Sequence, residues 1–126
     1  MNLNQVTLPA TDLKASVAFY LRLGFEQIVD APHYARFACP NGDATFSVHL
    51  ADIVGASGVV TYFECDDLDR QVAALERAGI AFDSPPVDQP WLWREARLRD
   101  PASNVLCLYH AGVNRKDLPC RVSLRA

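Results

Sequence analysis

No stretch of this 126-residue chain approaches the roughly 20 consecutive apolar residues that a membrane-crossing helix needs. The longest run with little charge, Cys39 to Ala51, is interrupted by Pro40, Asn41, Gly42, Asp43 and His49. Met1-Asn2-Leu3-Asn4-Gln5 offers neither a basic nor an apolar region, so no secretory signal is read there and a cytoplasmic protein is expected. The four cysteines, Cys39, Cys65, Cys107 and Cys120, contain no Cys-x-x-Cys pair, which argues against a zinc knuckle or a thioredoxin-type centre and for free thiols. Cations are too few to hold a polyphosphate: twelve Lys and Arg stand against fifteen Asp and Glu, for a net charge of −3, so nucleic acid is not expected as a partner. No phosphate-binding glycine loop, Ser-His-Asp order or His-Glu-x-x-His helix occurs. What is present, 50% hydrophobic and 21% charged residues, suits one folded domain.

The strongest positive feature is an internal repeat. Asp12 to Phe25 lies 55 positions before Asp67 to Ile80, and the two segments share Asp, Leu, Val, Ala, Arg and Gly at matching places. Each reads as an amphipathic helix, with Leu13, Val17, Tyr20 and Leu21 on the apolar face of the first and Leu68, Val72, Leu75 and Ala78 on that of the second. Thr11 or Asp12, and Asp66 or Asp67, supply N-cap oxygens, while Gly24 and Gly79 stand where a helix ends in a left-handed residue.

A strand-like run precedes each helix, at Asn4–Ala10 and Gly58–Cys65. Three more follow each: Phe25–Asp30, Tyr34–Cys39 and Ala44–Leu50 after the first, then Ile80–Asp83, Leu92–Arg99 and Asn104–His110. The expected fold class is therefore α+β, a βαβββ module used twice. Module one covers residues 1–52 and module two 58–111, together forming one domain over 1–111. A basic irregular arm at 112–126, carrying Arg115, Lys116, Arg121 and Arg125, is expected to clasp a neighbouring subunit.

These pieces resemble the vicinal oxygen chelate superfamily of glyoxalase I, bleomycin and fosfomycin resistance proteins and extradiol dioxygenases. The matching residues are Asn4-Gln5-Val6-Thr7-Leu8 leading into Asp12-Leu13, Ser16, Phe19-Tyr20 and Leu23-Gly24-Phe25, then Asp66-Asp67-Leu68-Asp69 with Leu75 and Ala78-Gly79. Asp100-Pro101-Ala102-Ser103-Asn104 is similar to the family's Asp-Pro-x-Gly-Asn turn. The resemblance implies two modules pairing into an open barrel-like cleft, a homodimer, and in many members four metal ligands on the first and last strands of each module. Carried over residue by residue, those four positions fall on Gln5, Ser47, Val60 and Cys107. Valine has no donor, serine is a poor ligand, and cysteine with glutamine does not suit an oxygen-preferring ion, so no metal and no other cofactor is expected. The alternative is a divalent Zn, Ni, Mn or Fe ion in a rearranged site, with Gln5, His49, Glu64 and Tyr109 gathered at one end of the cleft.

Strand alternation places Thr45, Ser47 and His49 on one face, Val60, Tyr62 and Glu64 on another, and Val105, Cys107 and Tyr109 on a third. His49 and Glu64 are the candidate acid/base pair, and Cys107 is expected to pack as a small hydrophobe. In Pro90-Trp91-Leu92-Trp93-Arg94-Glu95, the two indoles are expected to share a strand face beside Glu95, a combination suited to a planar or cationic small molecule. Pro32-His33-Tyr34-Ala35-Arg36 is a candidate for an opposing wall, and Arg115 for folding back over the mouth. The expected function is recognition of a small organic molecule between the modules, with Gln5, Ser47, Tyr62, Trp91, Trp93, Glu95, Cys107, Tyr109 and Arg115 contacting it. The competing expectation is a lyase, isomerase or dioxygenase acting on vicinal oxygens.

Overall fold

In the computed structural model, described over residues 1–53, 55 and 57–122, eight strands and two helices follow the repeat. In chain order they are β1 (Gln5–Ala10), α1 (Leu13–Arg22), β2 (Glu26–Ala31), β3 (Tyr34–Ala38), β4 (Thr45–Leu50), β5 (Val60–Glu64), α2 (Leu68–Arg77), β6 (Val87–Asp88), β7 (Arg94–Arg99) and β8 (Val105–His110). Each module makes a four-stranded sheet, ordered β1-β4-β3-β2 and β5-β8-β7-β6. The first and last strands of each module lie side by side and parallel, and the other pairings are antiparallel.

The helices start where the Asp carboxylates accept backbone N–H groups left without partners. Asp12 Oδ1 takes the N–H of Ala15 at 3.1 Å and Asp67 Oδ1 that of Arg70 at 3.3 Å. Both stop two residues before glycines at φ +100° and +92°, Gly24 and Gly79, a conformation that a side chain would strain. The apolar faces differ from the pattern at two places. Leu21 is exposed, its expected place taken by the buried Ser16, and Ala78 lies past the end of α2 in solvent. Ser16 Oγ is fully buried with no hydrogen-bond partner among the described residues. Ser16→Ala is therefore expected to raise the unfolding free energy by about 1 kcal/mol, measured in urea, by removing an unpaired buried hydroxyl and improving helix propensity.

Two strand boundaries also depart from expectation. Ile80–Asp83 is not a strand: Ile80 and Phe82 are drawn into the core, and Pro85 and Pro86 have no N–H to pair. Edge pairing is left to the two-residue β6, with the run before it held to β7 by the Asp83 N–H on the Arg97 carbonyl at 2.8 Å. The strand expected from Leu92 begins only at Arg94, because Leu92 adopts φ +67° in a turn closed by its N–H on the Gln89 carbonyl.

One hydrophobic core serves both modules. Phe63 of β5 meets Phe25 and Phe46 of module one, with ring centroids 4.9 and 5.4 Å apart, and Tyr20 packs on Phe37 and Phe46. A polar latch spans the same junction. The Tyr20 hydroxyl donates to Asp100 Oδ2 at 2.6 Å, and Asn104 Nδ2 donates both to Asp100 Oδ2 and to the Pro9 carbonyl. Leu8, Phe37, Phe46, Phe63, Leu98, Leu106 and Leu108 all point to the helix-bearing sides that share this core. By alternation the residues between them lie on the sheet faces turned away from it.

Candidate functional site

The face of module one away from the core carries a polar network. Gln5 Nε2 donates to Ser47 Oγ at 2.8 Å, Thr45 donates its hydroxyl to Gln5 Oε1, and Ser47 is hydrogen-bonded to the Tyr34 hydroxyl. Arg36 donates to the same Tyr34 oxygen from Nε at 3.0 Å and Nη2 at 2.9 Å. The Ser47 hydrogen bond, reinforced by the Arg36 guanidinium, holds the Tyr34 phenol below its ordinary range. His49 is exposed, with its ring 6.5 Å from that of Tyr34.

The corresponding face of module two is aromatic. Trp93 stacks on Tyr109 with centroids 4.7 Å apart and planes 25° from parallel, and Tyr62 meets both edge-on, at 5.9 and 5.5 Å. Hydrogen bonds fix this floor. The indole of Trp93 donates to the Asn114 carbonyl at 2.9 Å, and that of Trp91 to Glu95 Oε2 at 2.7 Å. Because Leu92 is left-handed, the two indoles do not share a strand face by alternation as expected. They reach the same side of the sheet through their separate anchors.

Glu64 and Glu95 rim this floor, each near a guanidinium: Arg115 Nε lies 3.8 Å from Glu64 and Arg97 Nη2 lies 3.7 Å from Glu95. Gly112–Arg115 forms a 3₁₀ turn that brings Arg115 back over the sheet. The arm's last four positions, Arg125 among them, lie outside the described residues. Cys107 packs in a small cluster with Tyr109, Ala111, Val60 and Trp93. Burial first, and Glu95 second, push its thiol up to about 12, so it is protonated and inert at neutral pH.

The expected residues thus fall into two groups. Gln5 and Ser47 are bonded to each other, and Val60 and Cys107 pack together, but no hydrogen bond, ion pair or buried cluster among the described residues joins the two pairs. Of the suggested gathering of Gln5, His49, Glu64 and Tyr109, no hydrogen bond or ion pair among the described residues links the first two to the last two. Glu64 and Tyr109 are register partners in one sheet, whereas Gln5 and His49 belong to the other. His49 and Glu64 share no hydrogen bond or ion pair among the described residues, and Glu64 Oε2 accepts the N–H groups of Ala111 and Gly112 at 2.9 and 3.0 Å. Tyr34 and Arg36 bond within module one instead of walling the aromatic face. Arg97, which the sequence reading passed over, lies on the face of Glu95, two residues away, and could have been found by the same alternation. A cavity of about 630 Å³ lies between the turn Pro40–Ala44 and α2, and of the expected set only Tyr62 and Glu64 line it.

The donor chemistry does not fit a divalent ion at the inherited positions. Val60 has no donor, both ends of the Gln5 amide are already hydrogen-bonded, and Cys107 is buried in an apolar cluster with Val60 and Trp93. No group of three or more His, Cys, Asp or Glu side chains that could hold a metal occurs among the described residues.

The family model for the Glyoxalase/Bleomycin resistance protein/Dioxygenase superfamily matches residues 2–108, and the chain belongs to that superfamily. Among solved structures it is similar to a glyoxalase/bleomycin resistance protein/dioxygenase from Nocardioides, at 22% identity and TM-score 0.78 over 98% of this chain and 90% of that one. It is also similar to a bleomycin-binding protein complexed with bleomycin, at 24% and 0.73 over 87% and 98%. Lactoylglutathione lyase from Agrobacterium tumefaciens aligns at 24% and 0.74 over 89% and 95%. No curated protein matches the chain. No helix among the described residues is long and apolar enough to cross a membrane.

Proposed function

We propose that this chain is a cytoplasmic binding protein that takes up a small organic molecule on its aromatic sheet face, without a bound metal. The observation that carries this reading is the floor of Trp93, Tyr109 and Tyr62, whose two larger rings are stacked and whose indole is pinned by Asn114. Rings held in place lose little conformational freedom when a ligand stacks on them, which favours binding. Tyr62 and Trp91 remain more than two-fifths exposed, so part of this surface is open to a ligand. The bleomycin-binding protein of similar fold, solved in complex with bleomycin, supports this reading.

A homodimer completes the reading. The polar face around Gln5 and the aromatic face around Trp93 point away from the shared core, so a second copy can set one against the other. Sedimentation at micromolar concentration is expected to give twice the 13.9 kDa chain mass, and a monomer would contradict the paired site. Trp93→Ala is expected to abolish calorimetric binding of planar aromatic ligands while leaving the fold intact, and retained affinity would contradict the proposal. Elemental analysis after dialysis against chelator should find only substoichiometric Zn, Ni, Mn and Fe. One tightly held ion per chain would favour the lyase, isomerase or dioxygenase alternative.

A further inference from the structure

The charges around the aromatic floor are not equally available to a ligand. Glu95 is 4% exposed, and its Oε2 is taken by the Trp91 indole. Glu64 gives its Oε2 to two backbone N–H groups of the turn that starts the C-terminal arm. Each carboxylate therefore has one oxygen held by protein donors, and its other oxygen, Oε1, faces a guanidinium. The two guanidiniums are more open to a ligand. Arg97 and Arg115 have side chains 42% and 48% exposed, and their nearest carboxylate oxygens lie 3.7 and 3.8 Å away, beyond a hydrogen bond. Arg97 donates one N–H to the Tyr62 hydroxyl at 3.3 Å, and Arg115 makes no side-chain hydrogen bond among the described residues. Each guanidinium has five donors in a planar fork matched to a carboxylate.

Resting on the reading that this face binds a small molecule, we propose that its ligand is a planar aromatic anion. The ring lies on Trp93 and Tyr62, and a carboxylate or comparable acidic group is held by Arg97 and Arg115. An organic cation is disfavoured on the same grounds, because the carboxylate oxygens left without a hydrogen bond each face a guanidinium, which repels it.

The test uses three probes with one ring system: 2-naphthoate, 2-naphthylmethanol and 2-naphthylmethylammonium, titrated calorimetrically into the full chain at low and at high salt. The naphthoate is expected to bind at least tenfold more tightly than the alcohol, the ammonium most weakly, and the difference should shrink at high salt. Arg115→Gln and Arg97→Gln should each weaken naphthoate binding at least threefold and leave the alcohol unchanged. Arg115 lies in the arm outside the sheets, which keeps the test usable should the Arg97 variant fold poorly. Equal binding of alcohol and naphthoate, or tighter binding of the ammonium, that Trp93→Ala abolishes would overturn the anion assignment and leave the aromatic site standing. Absence of heat with all three probes, or isotherms that Trp93→Ala does not change, would overturn both.

Discussion

Phe46→Ala is expected to lower the unfolding free energy by about 3–5 kcal/mol, a large part of the roughly 5–15 kcal/mol that holds a domain of this size together. The ring is 2% exposed and touches aromatic neighbours on every side: Tyr20 at 4.9 Å, Phe25 at 4.8 Å, Phe37 stacked at 5.2 Å, and Phe63 of the other module at 5.4 Å. Its removal leaves a cavity that two sheets and a helix would have to collapse around, and close-packed interiors relax only partly. Phe46→Leu should recover more than half of the loss. Denaturant titration of the three proteins decides the matter, and a cost below about 1 kcal/mol for the alanine variant would contradict a core shared between modules.

The second large effect concerns the latch. Asp100 is 5% exposed and saturated with donors: Oδ1 accepts the N–H groups of Ala102 and Asn104, both at 2.9 Å, and Oδ2 accepts the Tyr20 hydroxyl and Asn104 Nδ2. Asp100→Ala leaves all four without that acceptor, and a loss of about 3–4 kcal/mol is expected. Tyr20→Phe removes one donor and should cost about 1 kcal/mol in the natural background but much less beside Asp100→Ala, because the two act through one bond. Alkaline pH gives the same latch a signature. Burial first, then the Asp100 charge and hydrogen bond, raise the Tyr20 phenol above its ordinary range. As pH rises above about 10, the unfolded chain releases a proton that the folded chain retains, so stability falls. Tyr20→Phe should flatten that decline, and an unchanged alkaline slope would contradict the assignment.

Much of this architecture could be read from short-range pattern. The repeat, the capping aspartates Asp12 and Asp67, and the left-handed Gly24 and Gly79 all act within one helical turn, so the residues that cause each feature stand next to it in the chain. Strand alternation likewise sorted Ser47 from Phe46 and Cys107 from Leu108 onto opposite faces. Most of what escaped was governed by distant partners. The drawing of Ile80 and Phe82 into the core depends on neighbours far along the chain, and the turn at Leu92, though closed locally on Gln89, places a non-glycine residue in the left-handed region where no turn signal marks it. The packing of both helix-bearing sides on one core, which separates Gln5 and Ser47 from Val60 and Cys107, rests on contacts such as Phe46 with Phe63. Glu64 read as a proton carrier because a strand-end carboxylate has no visible partner in sequence, whereas its partners are the N–H groups of Ala111 and Gly112, nearly fifty positions away.

The central claim, that the aromatic face of module two is where this protein meets its ligand, is tested most directly by ¹⁵N NMR of the full chain titrated with 2-naphthoate. The account predicts saturable shifts of the Trp93 indole N–H and of the Tyr109, Ala111 and Gly112 amides, with the amides of Phe25, Gly42 and Gln71, which line the cavity between the Pro40–Ala44 turn and α2, left in place. Shifts confined to that cavity, with the Trp93 indole resonance unmoved at saturation, would contradict it.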